Sequence, residues 1–256
     1  MSAVTLILAS QSPRRRELLA LLGLPFEVFP AAVEEAAVDG ESPAQTAVRL
    51  ALEKARTVVA ARPGATVIGC DTLVAVDGAV LGKPADAAQA RAMLRSLRGR
   101  AHSVYSGVAV IGGGRQVVEL VETTVTMRDY TDAEIERYIA SGAPFDKAGA
   151  YGIQCEPFRP AAAWSGCYLN VMGLPLCALA RALGALDIVP PVDAAAACQA
   201  YRSSLIADRS SLIADRSSLI ADRGLLIADC LSPNDESTER RAMGNERRAI
   251  NNERTR

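Results

Sequence analysis

The sequence predicts an α/β fold, a mixed and twisted sheet with helices on its faces. Short apolar runs rich in strand formers, at residues 4–9, 26–29 and 65–70, are separated by stretches with clear helical starts and stops. Asp77-Gly78 and Gly112-Gly113-Gly114 each lie between apolar runs, so part of the sheet turns back on itself in antiparallel hairpins. The chain has 256 residues, half of them hydrophobic, enough for one sizeable domain or two small ones.

The first strand runs into Ser10-Gln11-Ser12-Pro13-Arg14-Arg15-Arg16, and Glu17-Leu18-Leu19 continues as a helix that Gly23 stops. Ser12 is a good N-cap and Pro13 suits the first helical position. The free N–H groups of a first helical turn, together with the helix dipole, favour an anion. Arginine adds a planar fork that matches phosphate oxygens. The turn therefore reads as an anion site, most simply for a polyphosphate; a capped helix with solvated arginines is the plainer alternative.

Residues 26–29 form a second strand that leads to Val33-Glu34-Glu35, an acidic pair readable as a solvated loop or as a metal ligand facing the phosphates. Ser42-Pro43-Ala44-Gln45 is a capping box. Its helix runs to about residue 62, where Pro63-Gly64 ends it, and carries Lys54, which alone would be a solvated charge. The strand at 65–70 ends in Asp71-Thr72. A carboxylate at the C-terminal end of a buried strand is where α/β folds tend to place ligands and chemistry. The Asp77-Gly78 hairpin returns to Leu81-Gly82-Lys83-Pro84.

Residues 86–97 form an amphipathic helix, and a long strand starting at His102 turns at the three glycines and pairs back through 117–127. His102, the only histidine, has no obvious partner in the sequence and reads as structural. Thr131 and Glu134 make another capping box, whose helix stops at Ser141-Gly142. In the glycine-rich run 146–154 the backbone can approach a ligand closely. Gln154 ends that run with one acceptor and two donors on a planar amide, the complement of the carbonyl-beside-N–H edge of uracil or thymine. Pro175 starts a closing helix that ends near Gly184.

The Ser-x-Ser-Pro-Arg-Arg turn with its Glu-Leu-Leu, the segment 71–84, the run 146–154 and residues 166–175 resemble, in that order, the signatures of the Maf proteins, which are nucleoside triphosphate pyrophosphatases. The resemblance covers about residues 4–186 and is closest to the dTTP/UTP branch. It implies a two-lobed, Maf/ITPase-like sheet with a central cleft, frequent homodimers, and cleavage of a nucleoside triphosphate to the monophosphate and pyrophosphate. Residue by residue, it implies Asp71 as the catalytic carboxylate, and Arg14, Thr72 and Gln154 as positions that select a pyrimidine. It implies Ser10, Ser12, Arg14, Arg15, Lys54 and Lys83 as phosphate-binding groups. Asp71 with Glu34 or Glu35 would hold a divalent metal, magnesium by default or manganese. The chain departs from the commoner family form at Cys155, where a glycine often follows the glutamine. Two rivals stand beside this reading: a methylated-purine (7-methyl-GTP) pyrophosphatase of the same family, and a nucleotide-binding regulator of cell division and septum formation with little turnover. Retention of Asp71 with both lysines favours an enzyme.

A net charge of −1 argues against a general nucleic-acid or membrane surface. The N-terminal apolar run is too short for a signal peptide and lacks a basic lead, and no run is long enough to span a bilayer. The six cysteines form no Cys-x-x-Cys pair, so buried thiols in a reducing cytoplasm are expected rather than a zinc site or disulfide framework. Pro190-Pro191 suggests a boundary, with a catalytic unit at 1–188 that should stand without the tail at 189–256. That tail repeats Ser-Ser-Leu-Ile-Ala-Asp-Arg three times from 203 and a fourth time in degenerate form to 230, then ends in a Glu-, Arg- and Asn-rich segment expected to be disordered.

Overall fold

The structure is a computed structural model that describes residues 5–36 and 38–204. The heptapeptide repeats beyond 204 and the charged end lie outside the described residues. The chain opens with β1 (Leu6–Leu8), α1 (Pro13–Ala20), β2 (Glu27–Val28) and α2 (Pro43–Ala61). Then come β3 (Thr66–Val76), β4 (Ala79–Leu81), α3 (Ala87–Leu97), β5 (Ala101–Gly112), β6 (Arg115–Met127) and α4 (Asp132–Ala140). A single 3-10 turn (Ala148–Ala150), β7 (Ala161–Ser165), α5 (Tyr168–Met172) and α6 (Leu176–Gly184) follow, and a last helix, α7, occupies 194–204.

The seven strands form one mixed sheet in the order β2-β1-β3-β5-β6-β7, with β4 paired to β3. β1 runs parallel to both β2 and β3, and every other pairing is antiparallel. The expected caps are in place. Ser12 accepts from the Arg15 N–H, and Ser42/Gln45 and Thr131/Glu134 form reciprocal capping boxes. One expectation needs correcting: β3 does not end at Asp71. Its pairing with β5 continues through Asp71↔Gly107 and Thr72↔Ser106 to Ala75↔Ser103, so Asp71 stands in the middle of a long strand.

The two faces of the sheet are covered differently. On one face α2 lays Ala51, Ala55 and Val58 against Ile7, Ala9, Val67 and Ala109. The helix comes this close because the sheet offers glycine beneath it. A Cβ on Gly69 would fall 2.1 Å from the Ala51 carbonyl oxygen, and one on Gly107 would fall 2.3 Å from that of Ala47. On the other face α1, α3, α4 and α6 build the larger core on Leu8, Ile68, Cys70 and Val108. Alternation along β3 thus sends Val67, Gly69 and Asp71 towards α2, and Ile68, Cys70 and Thr72 to the opposite side.

Packing does not stop at residue 188. Ala194 and Ala197 of α7 are buried in the larger core, and Cys198 and Tyr201 pack against it. Asp193 caps the helix by accepting from the Ala196 N–H at 2.8 Å. The packed unit therefore reaches 204, beyond the boundary expected at 188, and a cut after Val189 would uncover part of the core. Cys70, Cys167, Cys177 and Cys198 are free thiols, Cys70 being buried. No helix among the described residues is long and apolar enough to cross a membrane.

His102 is structural, as expected. It is buried, and its Nε2 lies 2.7 Å from the Tyr151 hydroxyl. Burial pushes its imidazole from 6.5 down to about 4. The unfolded chain therefore takes up this proton near pH 6.5 while the folded chain resists until about 4, so stability is fully present above that window and falls as pH drops through it. The shift corresponds to about 3 kcal/mol by pH 4. Urea melts from pH 7.5 to 4.5 should show this loss in the wild type and a flatter profile in His102→Gln. Parallel profiles would show that another group controls the acid limb.

Candidate active site

The strand-to-helix turn after β1 forms one wall of a cleft of about 580 Å³. Ser10, Ser12, Arg14 and Arg15 line it from this turn, joined by Glu35, Lys54 and Lys83 from neighbouring segments. From the glycine-rich loop come Asp146, Lys147 and Gln154. The structure thus brings most of the expected site residues to one cavity. Asp71, Thr72 and Glu34 are not among its walls.

Asp71 stands immediately behind the wall. Lys54 Nζ donates to Asp71 Oδ1 and to Glu35 Oε1, each at 2.5 Å. Lys54 reaches that point because it lies on the α2 face seated on Gly69 and Gly107, and Asp71 points out of β3 towards the same face. Lys54 is 8 % exposed and Asp71 5 %, so this pair is shielded from water. Both members of the acidic pair are exposed, and Glu35 is the one that meets Lys54. Burial raises the Glu35 carboxyl, but Lys54 beside it, with Lys83 and Arg15 further off, outweighs burial and holds it below the ordinary value.

Arg15 is fixed from three sides. Its Nε donates to the Gly173 carbonyl at 2.9 Å, Nη1 to Ser10 Oγ at 3.3 Å and Nη2 to Thr72 Oγ1 at 3.2 Å. A guanidinium has five N–H donors, so part of the fork remains for a ligand after these bonds. Thr72 Oγ1 also lies 2.7 Å from Ser106 Oγ. Thr72 therefore stands behind Arg15 and helps to hold that fork in place. Arg14, half-buried at the cleft, points its Nη2 to Asp146 Oδ2 at 3.4 Å.

The sequence reading passed over Asp146 and Lys147 as site residues. Lys147 is 5 % exposed, donates to the Ala143 carbonyl at 2.6 Å and pairs with Asp146; burial pushes its ammonium below the ordinary range. Their position at the head of the glycine-rich run was the available signal. Gln154 sits close to Lys147. A Cβ on Gly152 would lie 3.1 Å from Lys147 Cε and 3.5 Å from Gln154 Oε1, so a side chain at 152 would press on both.

Cations thus outnumber carboxylates around a cleft opened by a helix N-terminus, which suits a polyanion. Glu35 and Asp71 offer one oxygen each to a common cation, here the Lys54 ammonium, and hard oxygen donors of this kind suit magnesium or manganese. Among the described residues no group of three or more His, Cys, Asp or Glu side chains could close a metal site alone, so ligand oxygens or water would have to complete the shell.

Fold and cleft together define an α/β protein whose cation-lined cleft suits a polyanion beside a buried carboxylate. The chain belongs to the Maf family, since residues 5–186 match the family described as Maf-like protein. Among similar proteins, one from Symbiobacterium thermophilum named dTTP/UTP pyrophosphatase is 52% identical over 171 residues, covering 67% of this chain and 88% of its own. A protein of the same name from Thermomicrobium roseum is 51% identical over 174 residues, 68% of this chain and 80% of its own. Another from Moorella thermoacetica is 51% identical over 173 residues, 67% of this chain and 89% of its own.

Proposed function

We propose that this protein is a nucleoside triphosphate pyrophosphatase that cleaves dTTP and UTP, and modified pyrimidine analogues, to the monophosphate and pyrophosphate. The observation that carries the reading is the Asp71–Lys54–Glu35 cluster placed against the phosphate-suited turn of Ser10, Ser12 and Arg15. Relatives at about half identity bear the name dTTP/UTP pyrophosphatase, which favours the pyrimidine branch over methylated purines and over a regulator with little turnover.

In this reading the triphosphate lies along the cleft with its charge met by Arg14, Arg15, Lys54 and Lys83. Lys54 exchanges part of its contact with the carboxylates for phosphate oxygens, and Asp71 then takes the proton of the attacking water. The basic side chains stabilise the charge that develops on the departing pyrophosphate. Glu35 and Asp71 would hold a divalent ion, magnesium or manganese, which supplies further neutralisation of the phosphate oxygens. The family resemblance also supports a cytoplasmic homodimer with no nucleic-acid or membrane partner, which sedimentation of the full chain would test.

The primary experiment measures pyrophosphate release across normal and modified triphosphates with magnesium. Fastest release from dTTP or UTP is expected. Preference for 7-methyl-GTP, or release of orthophosphate in place of pyrophosphate, would overturn the reading.

Base choice yields a separate expected result. Gln154→Glu sets a carboxylate where an amide donor faces the pyrimidine carbonyl. An unmet buried polar group costs about 1–3 kcal/mol, so kcat/KM for dTTP and UTP should fall about tenfold or more relative to the other triphosphates. An unchanged ranking across the panel would remove Gln154 from base recognition.

A further inference from the structure

Of the side chains lining the cleft, Tyr201 alone is aromatic among the described residues, and it comes from α7, outside the segment 5–186 that matches the Maf family. α7 is held at three places. The Val192 N–H before it donates to the Leu22 carbonyl at 3.4 Å, Cys198 Sγ lies 3.8 Å from Cys177 Sγ on α6, and the Arg202 guanidinium sits 5.7 Å from the Trp164 ring centre on β7. Its inner side is buried through Ala194 and Ala197. Tyr201 is thus presented to the cavity by a packed helix.

The charges that each group senses divide the cleft into two ends. The Glu35 carboxyl responds to Lys54, Lys83 and Arg15, which marks the phosphate end. Tyr201 shares the cavity wall with Arg14 and Glu17 of α1; burial raises its phenol, with Glu17 adding to the rise and Arg14 opposing it. Arg14 pairs with Asp146, which pairs with Lys147, and Lys147 adjoins Gln154. Tyr201 and the amide proposed to read the base edge thus line the same cavity, together with Arg14, Asp146 and Lys147.

We propose that Tyr201 is a nucleoside-contacting residue that offers its ring to the face of the pyrimidine while Gln154 meets the edge. This rests on the reading of the cleft as a nucleoside triphosphate site. A planar base needs both a hydrogen-bonding partner at its edge and a flat apolar partner for its face, and the remaining walls are dominated by charged, polar and small side chains. Base–aromatic stacking tolerates any base, so Tyr201 strengthens binding and Gln154 selects. A helix that the family match does not include would thereby complete the substrate site.

The test uses the full chain and two ligands measured by calorimetry, UTP and inorganic tripolyphosphate, which has no base. Tyr201→Ala should weaken UTP about tenfold or more and leave tripolyphosphate unchanged. Tyr201→Phe should bind both as wild type, since the ring and not the hydroxyl makes the contact. In turnover, the loss should appear in KM, with kcat nearly kept. Wild-type UTP affinity in Tyr201→Ala would overturn the proposal, as would equal weakening of both ligands, which would make α7 a purely structural prop. If Tyr201→Ala does not fold, Tyr201→Leu against Tyr201→Phe gives the same comparison. If the wild type binds tripolyphosphate but no nucleoside triphosphate, the nucleotide reading itself fails and takes this proposal with it. Firm UTP binding that Tyr201→Ala leaves untouched removes this proposal alone.

Discussion

Asp71→Asn should lower kcat for pyrophosphate release by about a hundredfold or more, the usual scale for losing a general base, while UTP binding is largely kept. The substitution preserves shape in a tightly occupied place. Asp71 faces α2 from mid-strand, opposite Gly107, and its Oδ1 meets Lys54. Asparagine can still accept from that ammonium, and Glu35 remains to neutralise it, so the local fold should survive. What disappears is the basic oxygen that would receive the proton of water. Turnover at the wild-type rate would exclude Asp71 as the base, and a parallel collapse of UTP affinity would assign it to binding instead.

Lys54→Met should destabilise the nucleotide-free protein by about 3–5 kcal/mol, because removing one member of a buried ion pair strands the other. Asp71 is the stranded group, being 5 % exposed, whereas the Glu35 side chain, 60 % exposed, loses little when the lysine goes. Methionine keeps most of the aliphatic stem, which isolates charge from packing. Denaturant melts of the two single variants and of Lys54→Met/Asp71→Asn decide the matter. The double variant should regain most of the lost stability, since no buried carboxylate is left unpaired, and should stay inactive. If Lys54→Met melts like the wild type, or if the double variant is as unstable as the single one, the cluster is not the buried pair described above.

The parts of the fold legible in the sequence were those set by neighbours three or four residues apart. Ser12, Ser42 with Gln45, and Thr131 with Glu134 announce their helices through local hydrogen bonds, and all three stand as expected. The hairpins at Asp77-Gly78 and the three glycines are equally local. The continuation of β3 past Asp71 was not legible, because it depends on pairing with β5, whose partner Gly107 lies far along the chain. β7 was missed because Ala161-Ala-Ala-Trp-Ser has almost no strand-forming character and is held by β6. α7 did carry a signal, an aspartate cap before a run of alanines, which the adjacent Pro190-Pro191 obscured.

For the site, most residues with motif-like spacing came together in one cleft, with Asp71 and Thr72 behind its wall, and those whose roles depend on depth did not declare themselves. Nothing in Val33-Glu34-Glu35 distinguishes the two acids, since a loop has no period; only the reach of Lys54 selects Glu35. Thr72 and Arg15 read as independent candidates, but the structure couples them through a hydrogen bond, so a change at Thr72 acts through the arginine.

The seat of α2 on Gly69 and Gly107 carries an implication for how this protein can vary. Most helices rest on side chains, which can re-pack around a substitution and absorb it. Here backbone meets backbone, with the Ala47 and Ala51 carbonyls above the two glycines, and nothing soft lies between. One added methyl group at either glycine has no way to be accommodated except by lifting the whole helix, and Lys54 would rise with it away from Asp71. The spacing between the two charged partners is thus set like the gap of a caliper by the smallest residues in the chain, which themselves carry no chemistry. Substitution should be tolerated at many large core positions before it is tolerated at these two, and a chain altered there would keep every reactive group yet hold them at the wrong distance.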